Sequence, residues 1–129
     1  QYGDVLDADP SHHAARMARA RLYLDVGDFG RAISDLLRAT EQRPDDANAH
    51  AGIGDFWFAR KEYRRSAAAF DTAVQLQPGN ASILFRRGLA RFHNRDFTAA
   101  VEDLERARKL DGTLPSIDTW LERARRKQV

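Results

Sequence analysis

Three prolines, Pro10, Pro44 and Pro78, recur at steps of 34 residues, and Gly112 stands one further step along. Superposing the intervals aligns far more than proline. Phe29, Tyr63 and Phe97 share one column, and Ala32, Ser66 and Ala100 another. Leu36, Phe70 and Leu104 follow, then Ala39, Ala73 and Ala107. Upstream, Ala20, Gly54 and Gly88 coincide, and Asp28, Glu62 and Asp96 precede the aromatic column. Self-similarity at this period restricts the chain to stacked supersecondary units, each burying its apolar face against the next.

Each unit carries two stretches of apolar residues at helical spacing. In the second unit, Ala47 to about Lys61 holds Ile53, Phe56, Trp57 and Phe58. About Ser66 to Gln77 holds Ala69, Phe70, Ala73, Val74 and Leu76. Between them, Lys61-Glu62-Tyr63-Arg64 matches Gly27-Asp28-Phe29-Gly30 and Arg95-Asp96-Phe97-Thr98. Gly27 suits a left-handed residue that ends a helix; Lys61 and Arg95 either reach that geometry at a cost or take a different turn. The small-residue columns let paired helices approach closely. The prolines are expected just after each second helix, where a fixed φ and a missing N–H stop it. Pro44-Asp45-Asp46 and Pro78-Gly79-Asn80 then supply capping residues for the next first helix.

With 43% hydrophobic and 31% charged residues, the chain reads as folded and not disordered. The net charge of +2 is too small to argue for nucleic acid from bulk electrostatics. The absence of cysteine excludes disulfides, thiolate metal sites and cysteine nucleophiles. No apolar run reaches the length of a membrane span or a signal-peptide core. Gln1 in place of an initiating Met leaves targeting undecided, so the compartment is unassigned beyond a cytoplasmic default. There is no Gly-rich phosphate loop, nucleophile motif or histidine pair at metal-ligand spacing. His12 and His13 are adjacent and point to a flanking loop; His50 and His93 are single helical histidines with surface or packing roles. A non-catalytic chain with no metal and no cofactor is expected.

The small, aromatic, alanine and proline columns resemble the tetratricopeptide repeat across residues 13 to 112. That resemblance implies an all-α fold, a right-handed superhelical solenoid of antiparallel helix pairs. Residues 1–12 then supply a partial helix of an upstream repeat and a turn, followed by repeats at 13–46, 47–80 and 81–114. Residues 115–129 form a capping helix with Ile117, Leu121 and Ala124 on one face. Arg19 and Arg87 depart from the pattern, in the column where Ile53 stands, and Arg91 replaces the aromatic of Tyr23 and Trp57. Such arginines either lay their stems over the core or pair with nearby acids, and the first and third repeats are expected to pack less tightly than the second.

The resemblance further implies that the first helices line a concave face that holds an extended peptide or a partner helix. By spacing, the facing stripe runs through Ala14, Met17, Ala18, Arg21, Leu24 and Asp25. It continues through Asn48, Ala51, Gly52, Asp55, Phe58 and Ala59, then Ser82, Phe85, Arg86, Leu89, Phe92 and His93. The candidate partner-binding residues are Met17, Arg21, Asn48, Asp55, Phe58, Phe85, Arg86, Leu89, Phe92 and His93. Phe85, Leu89 and Phe92 recur at i, i+4 and i+7 as an aromatic-rich wall, and Phe85 is assigned to ligand contact. Arg21 and Asp55 share a column and can neutralise one another. Leu24, Phe58 and Phe92 serve either the ligand or packing between neighbouring first helices. One subfamily holds a peptide carboxylate through a Lys/Asn/Arg clamp; the matching positions here are Met17, Arg21, Gly52, Ser82 and Arg86. Only Arg86 fits, so the clamp is set aside, with Arg86 left able to take a carboxylate of an acidic partner.

The expected function is therefore protein–protein interaction through the groove. The alternative is a structural or assembly role, in which Tyr2, Val5 and Leu6 form half of an end-to-end, self-associating interface. Nucleic-acid scaffolding ranks third. It rests on Arg16, Arg19 and Arg21 and on Arg123, Arg125, Arg126 and Lys127, and the helix macrodipole already accounts for the latter group.

Overall fold

The computed structural model describes residues 10–128, with side chains from His12 onward. Among the described residues seven helices follow one another: α1 (Pro10–Val26), α2 (Phe29–Gln42), α3 (Ala47–Ala59), α4 (Tyr63–Leu76), α5 (Ala81–His93), α6 (Phe97–Leu110) and α7 (Ile117–Gln128). No strand occurs among the described residues. The segment in which Val5 and Leu6 were expected to continue an upstream helix lies outside them.

The turn inside each pair is built the same way three times. Gly27, Lys61 and Arg95 all take the left-handed conformation, at φ of 81°, 62° and 67°. Their N–H groups donate to the carbonyls of Leu24, Phe58 and Phe92, and the next N–H reaches back to Tyr23, Trp57 and Arg91. This satisfies helix-end carbonyls in a Schellman arrangement. Lys61 and Arg95 thus reach the glycine geometry, where a side chain costs about 1–2 kcal/mol.

Two boundaries differ from the sequence expectation. The second helices open at Phe29, Tyr63 and Phe97, so the aromatic column begins a helix instead of lying in the turn. Arg64 and Arg65 in the first turn of α4 face water, which hid that turn from the apolar pattern. Pro10 opens the first described helix, three residues before the expected start of the first repeat, at a place where its missing N–H is no loss. His12 and His13 consequently lie within α1 and not in a flanking loop. His13 is buried, with Nε2 2.6 Å from Asp46 Oδ2. Asp46 in turn caps α3 by accepting the Asn48 N–H.

The core runs along the array as three consecutive clusters. Ala20, Ala32, Leu36 and Phe56 form one. Ala47, Phe70, Ala73, Ile83 and Ala90 form the next. Leu84, Leu104, Ala107, Ile117, Leu121 and Ala124 form the last, sealed by α7. Each cluster draws on more than one helix pair, which is how a repeat array makes its core. Close approach depends on glycine in the Ala20 column. A Cβ on Gly54 would stand 2.7 Å from the Phe70 ring, and one on Gly88 would stand 3.0 Å from Leu104.

Arg19, Arg87 and Arg91 resolve their departure by pairing with acids. Arg19 donates to Asp35 through Nε and Nη2 at 2.8 and 2.7 Å, and Arg87 grips Asp103 in the same fork at 2.9 and 2.8 Å. Arg91 adds a 3.0 Å bond to Asp103. First helices touch their neighbours along the series α1, α3, α5 and α7. That chain of contacts gathers the first helices into one layer, the inner face, on which two concavities lie.

Candidate functional site

Two adjoining concavities lie on this inner face. The first, about 280 Å³, is walled by Met17, Ala18, Arg21 and Leu24 of α1, Asn48 and Gly52 of α3, and Arg86 of α5, with Leu36 beneath. Gly52 keeps it open: a Cβ there would come within 2.5 Å of Leu36 Cδ2. The second, about 150 Å³, is formed by Asp55, Phe58, Phe70, Arg86 and Leu89. Arg86 is the shared partition, its guanidinium 5.9 Å from the Phe70 ring centre. Volumes of this size accept one or two side chains each, not a cofactor-sized molecule.

Charge is arranged around one carboxylate. Asp55 Oδ2 accepts Arg21 Nη2 at 2.6 Å and Arg86 Nη1 at 2.7 Å. The Arg21–Asp55 pairing expected from their shared column is present, and Arg86 joins it from the next repeat. Two guanidiniums on one carboxylate leave one net positive charge in the groove. Both arginines retain N–H donors, so the trio can still receive an acceptor from a ligand.

Beyond Leu89 the wall becomes aromatic. Tyr63 stacks on His93 at 4.9 Å, and Phe58 meets both rings edge-on at 5.3 Å. Phe92 packs against Trp120 at 5.3 Å and Phe97 at 5.4 Å. His93 Nδ1 lies 2.9 Å from the Leu89 carbonyl, so the Nδ1–H donates there and Nε2 is left for other partners.

Of the ten candidate residues, Met17, Arg21, Asn48, Asp55, Phe58, Arg86 and Leu89 come together around the two concavities. Phe92 and His93 stand in the aromatic wall, while Phe85 and Phe92 also pack on the Leu104–Leu121 cluster. Leu24 and Phe58 line the concavities and also pack on the core. The sequence stripe missed Trp120, Tyr63, Leu36 and Phe70. Trp120 was findable, because it stands one 34-residue step beyond Arg86 in the column Ala18, Gly52, Arg86. Leu36 and Phe70 reach the groove floor from second helices, which no first-helix stripe includes.

The basic segments are largely committed. Arg16 is buried, Arg19 and Arg21 hold Asp35 and Asp55, and Arg125 and Arg126 pair with Glu105 and Glu122. Among the described residues no group of His, Asp or Glu is placed to hold a metal ion, and no helix is long and apolar enough to cross a membrane.

Comparison with known proteins agrees with this geometry. The tetratricopeptide repeat pattern matches residues 17–81 and again 60–115. The chain belongs to the tetratricopeptide repeat family. Among curated relatives, Protein SGT1 homolog of Bos taurus is 26% identical over 97 residues, covering 75% of this chain and 29% of that protein. Its Homo sapiens counterpart is 29% identical over 87 residues, covering 62% and 22%. The chain thus spans less than a third of the length of these relatives. Solved tetratricopeptide domains superpose closely. The first such domain of Spaghetti (RPAP3), bound to the HSP90 peptide SRMEEVD, gives a TM-score of 0.86 at 19% identity, covering 93% of this chain and 95% of that one. The Sgt2 domain from Aspergillus fumigatus gives 0.86 at 20% identity, covering 93% and 80%. These likenesses establish the all-α tetratricopeptide solenoid.

Proposed function

We propose that this tetratricopeptide domain is a non-catalytic interaction module that holds an extended peptide segment of a partner protein along its inner face. The observation that carries this reading is the pair of side-chain-sized concavities in a row, separated by Arg86 and edged by the Arg21–Asp55–Arg86 trio. Successive same-side residues of an extended peptide are about 6.6 Å apart, so such a segment can fill adjoining hollows while its backbone bonds to groove polar groups. The rigid helices present this surface preformed, which limits the ordering cost to the ligand. The RPAP3 domain, which shares the fold, was solved with a peptide bound.

The test is selection of binding peptides from a random library, followed by affinity measurements on Met17→Glu and Leu89→Glu. Each places a charge in one concavity without touching the buried alanine columns. The reading expects about a tenfold or greater loss for at least one variant with unchanged helicity. Unaltered affinity in both variants overturns it. An assembly role has its own motive: Leu22, Val26 and Leu37 of the first repeat are 64%, 76% and 51% exposed. Concentration-dependent mass in sedimentation, abolished by Leu22→Glu with Val26→Glu, would favour that second reading.

A further inference from the structure

We infer that the α3–α4 and α5–α6 turns form a basic rim that receives an acidic stretch of the partner segment as it leaves the groove, an inference that rests on the groove reading above. Residues 60–65 and 95–96 hold five cations, Arg60, Lys61, Arg64, Arg65 and Arg95, against Glu62 and Asp96. This local excess is larger than the net +2 of the whole chain. All five cations are exposed, and none forms an ion pair among the described residues. Five arginines of the first helices behave differently: Arg19, Arg21, Arg86, Arg87 and Arg91 all hold carboxylates. The two turns thus gather five cations without an ion pair, while Arg43 at the end of α2, Arg106 and Lys109 on α6, and Arg123 and Lys127 on α7 are the others among the described residues.

Three of these side chains are laid over rings of the protein itself. The guanidiniums of Arg60, Arg65 and Arg95 lie 5.5, 4.8 and 5.8 Å from the ring centres of Phe29, Trp57 and Phe97. Such stacking fixes the head group without neutralising it. It also covers those ring faces, removing the platforms on which unpaired bases would stack. Charge complementarity without open rings favours a carboxylate-rich peptide over a single-stranded nucleic acid.

The backbone supplies a separate argument. Lys61 and Arg95 occupy the left-handed position that Gly27 fills in the first repeat, where glycine is the better residue. Both second and third repeats retain a cation at that strained site, and both turns border the aromatic end of the groove. Tyr63, two residues after Lys61, stacks on His93, two residues before Arg95, and Phe58 touches both while lining the second concavity. The groove thus runs directly onto the rim.

Glycine at both positions separates function from structure, because it relieves strain while removing charge. The probes are a fluorescent peptide ending in six glutamates, the same peptide ending in six glutamines, and a twelve-nucleotide oligouridylate. The glutamate peptide is expected to bind about tenfold more tightly than its glutamine counterpart at low salt. Lys61→Gly with Arg95→Gly should raise the melting temperature by several degrees yet weaken the glutamate peptide about fivefold. Arg106→Gln with Lys109→Gln, removing equal charge elsewhere, should change neither. Equal affinity of the two peptides, glutamate affinity unchanged by the glycine pair, an equal loss in the Arg106/Lys109 control, or tighter binding of the oligouridylate overturns the inference. The groove reading fails separately, when Met17→Glu and Leu89→Glu leave the glutamine peptide unaffected.

Discussion

The second and third repeats close the same helix pair with different chemistry. In the second, Ile53 and Ala69 occupy the columns of Arg19 and Asp35, and the buried Ser66 hydroxyl donates to the Gly54 carbonyl at 2.7 Å. In the third, Arg87 and Asp103 stand at the corresponding positions and form a two-pronged ion pair. Its hydrogen bonds to Asp103, reinforced by the charges of Asp103 and Asp71, hold the Arg87 guanidinium above its ordinary pKa despite its partial burial. Asp71 belongs to α4, so the network also ties the second repeat to the third. The first repeat repeats the arginine solution with Arg19 and Asp35. One backbone geometry therefore accepts an apolar pair or an ionic pair, provided both columns change together.

The largest expected effect comes from breaking the ionic pair on one side. Asp103→Ala leaves Arg87 and Arg91 with the half-exposed Asp71 as their remaining carboxylate, and Asp103 itself is only 4% exposed. A loss of about 3–5 kcal/mol in urea denaturation is expected. Asp35→Ala should cost less, about 1–2 kcal/mol, because its partner Arg19 is 46% exposed and can turn to water. The smallest change should come from transplanting the apolar solution. Arg87→Ile with Asp103→Ala is expected to fall within about 1 kcal/mol of the parent. If the double variant were as damaged as Asp103→Ala alone, the two chemistries would not be interchangeable and the comparison would fail.

The same comparison shows what was legible in the sequence. The 34-residue columns locate all three helix pairs, because small residues recur where helices meet, with Gly54 and Gly88 leaving no room for a Cβ at an ordinary distance. Helix starts were less legible, since Arg64 and Arg65 carry no apolar signal in the first turn of α4. The arginine pairings were readable in principle: Arg19–Asp35 and Arg87–Asp103 share a separation, and Ile53–Ala69 replaces both members together. The Arg86–Asp55 bond was not, because it joins different columns of neighbouring repeats and depends on how those repeats superpose in space. In the groove, periodicity found the first-helix lining. It could not reach Leu36 and Phe70, which enter from the outer layer.

The central claim is that the inner face is the binding surface, and amide NMR shift mapping with a selected peptide tests it most directly. The account predicts that the largest shifts cluster on Met17, Arg21, Asn48, Gly52, Asp55 and Leu89. Shifts concentrated instead on the outer helices α2, α4 and α6, with these inner positions unmoved, would contradict it.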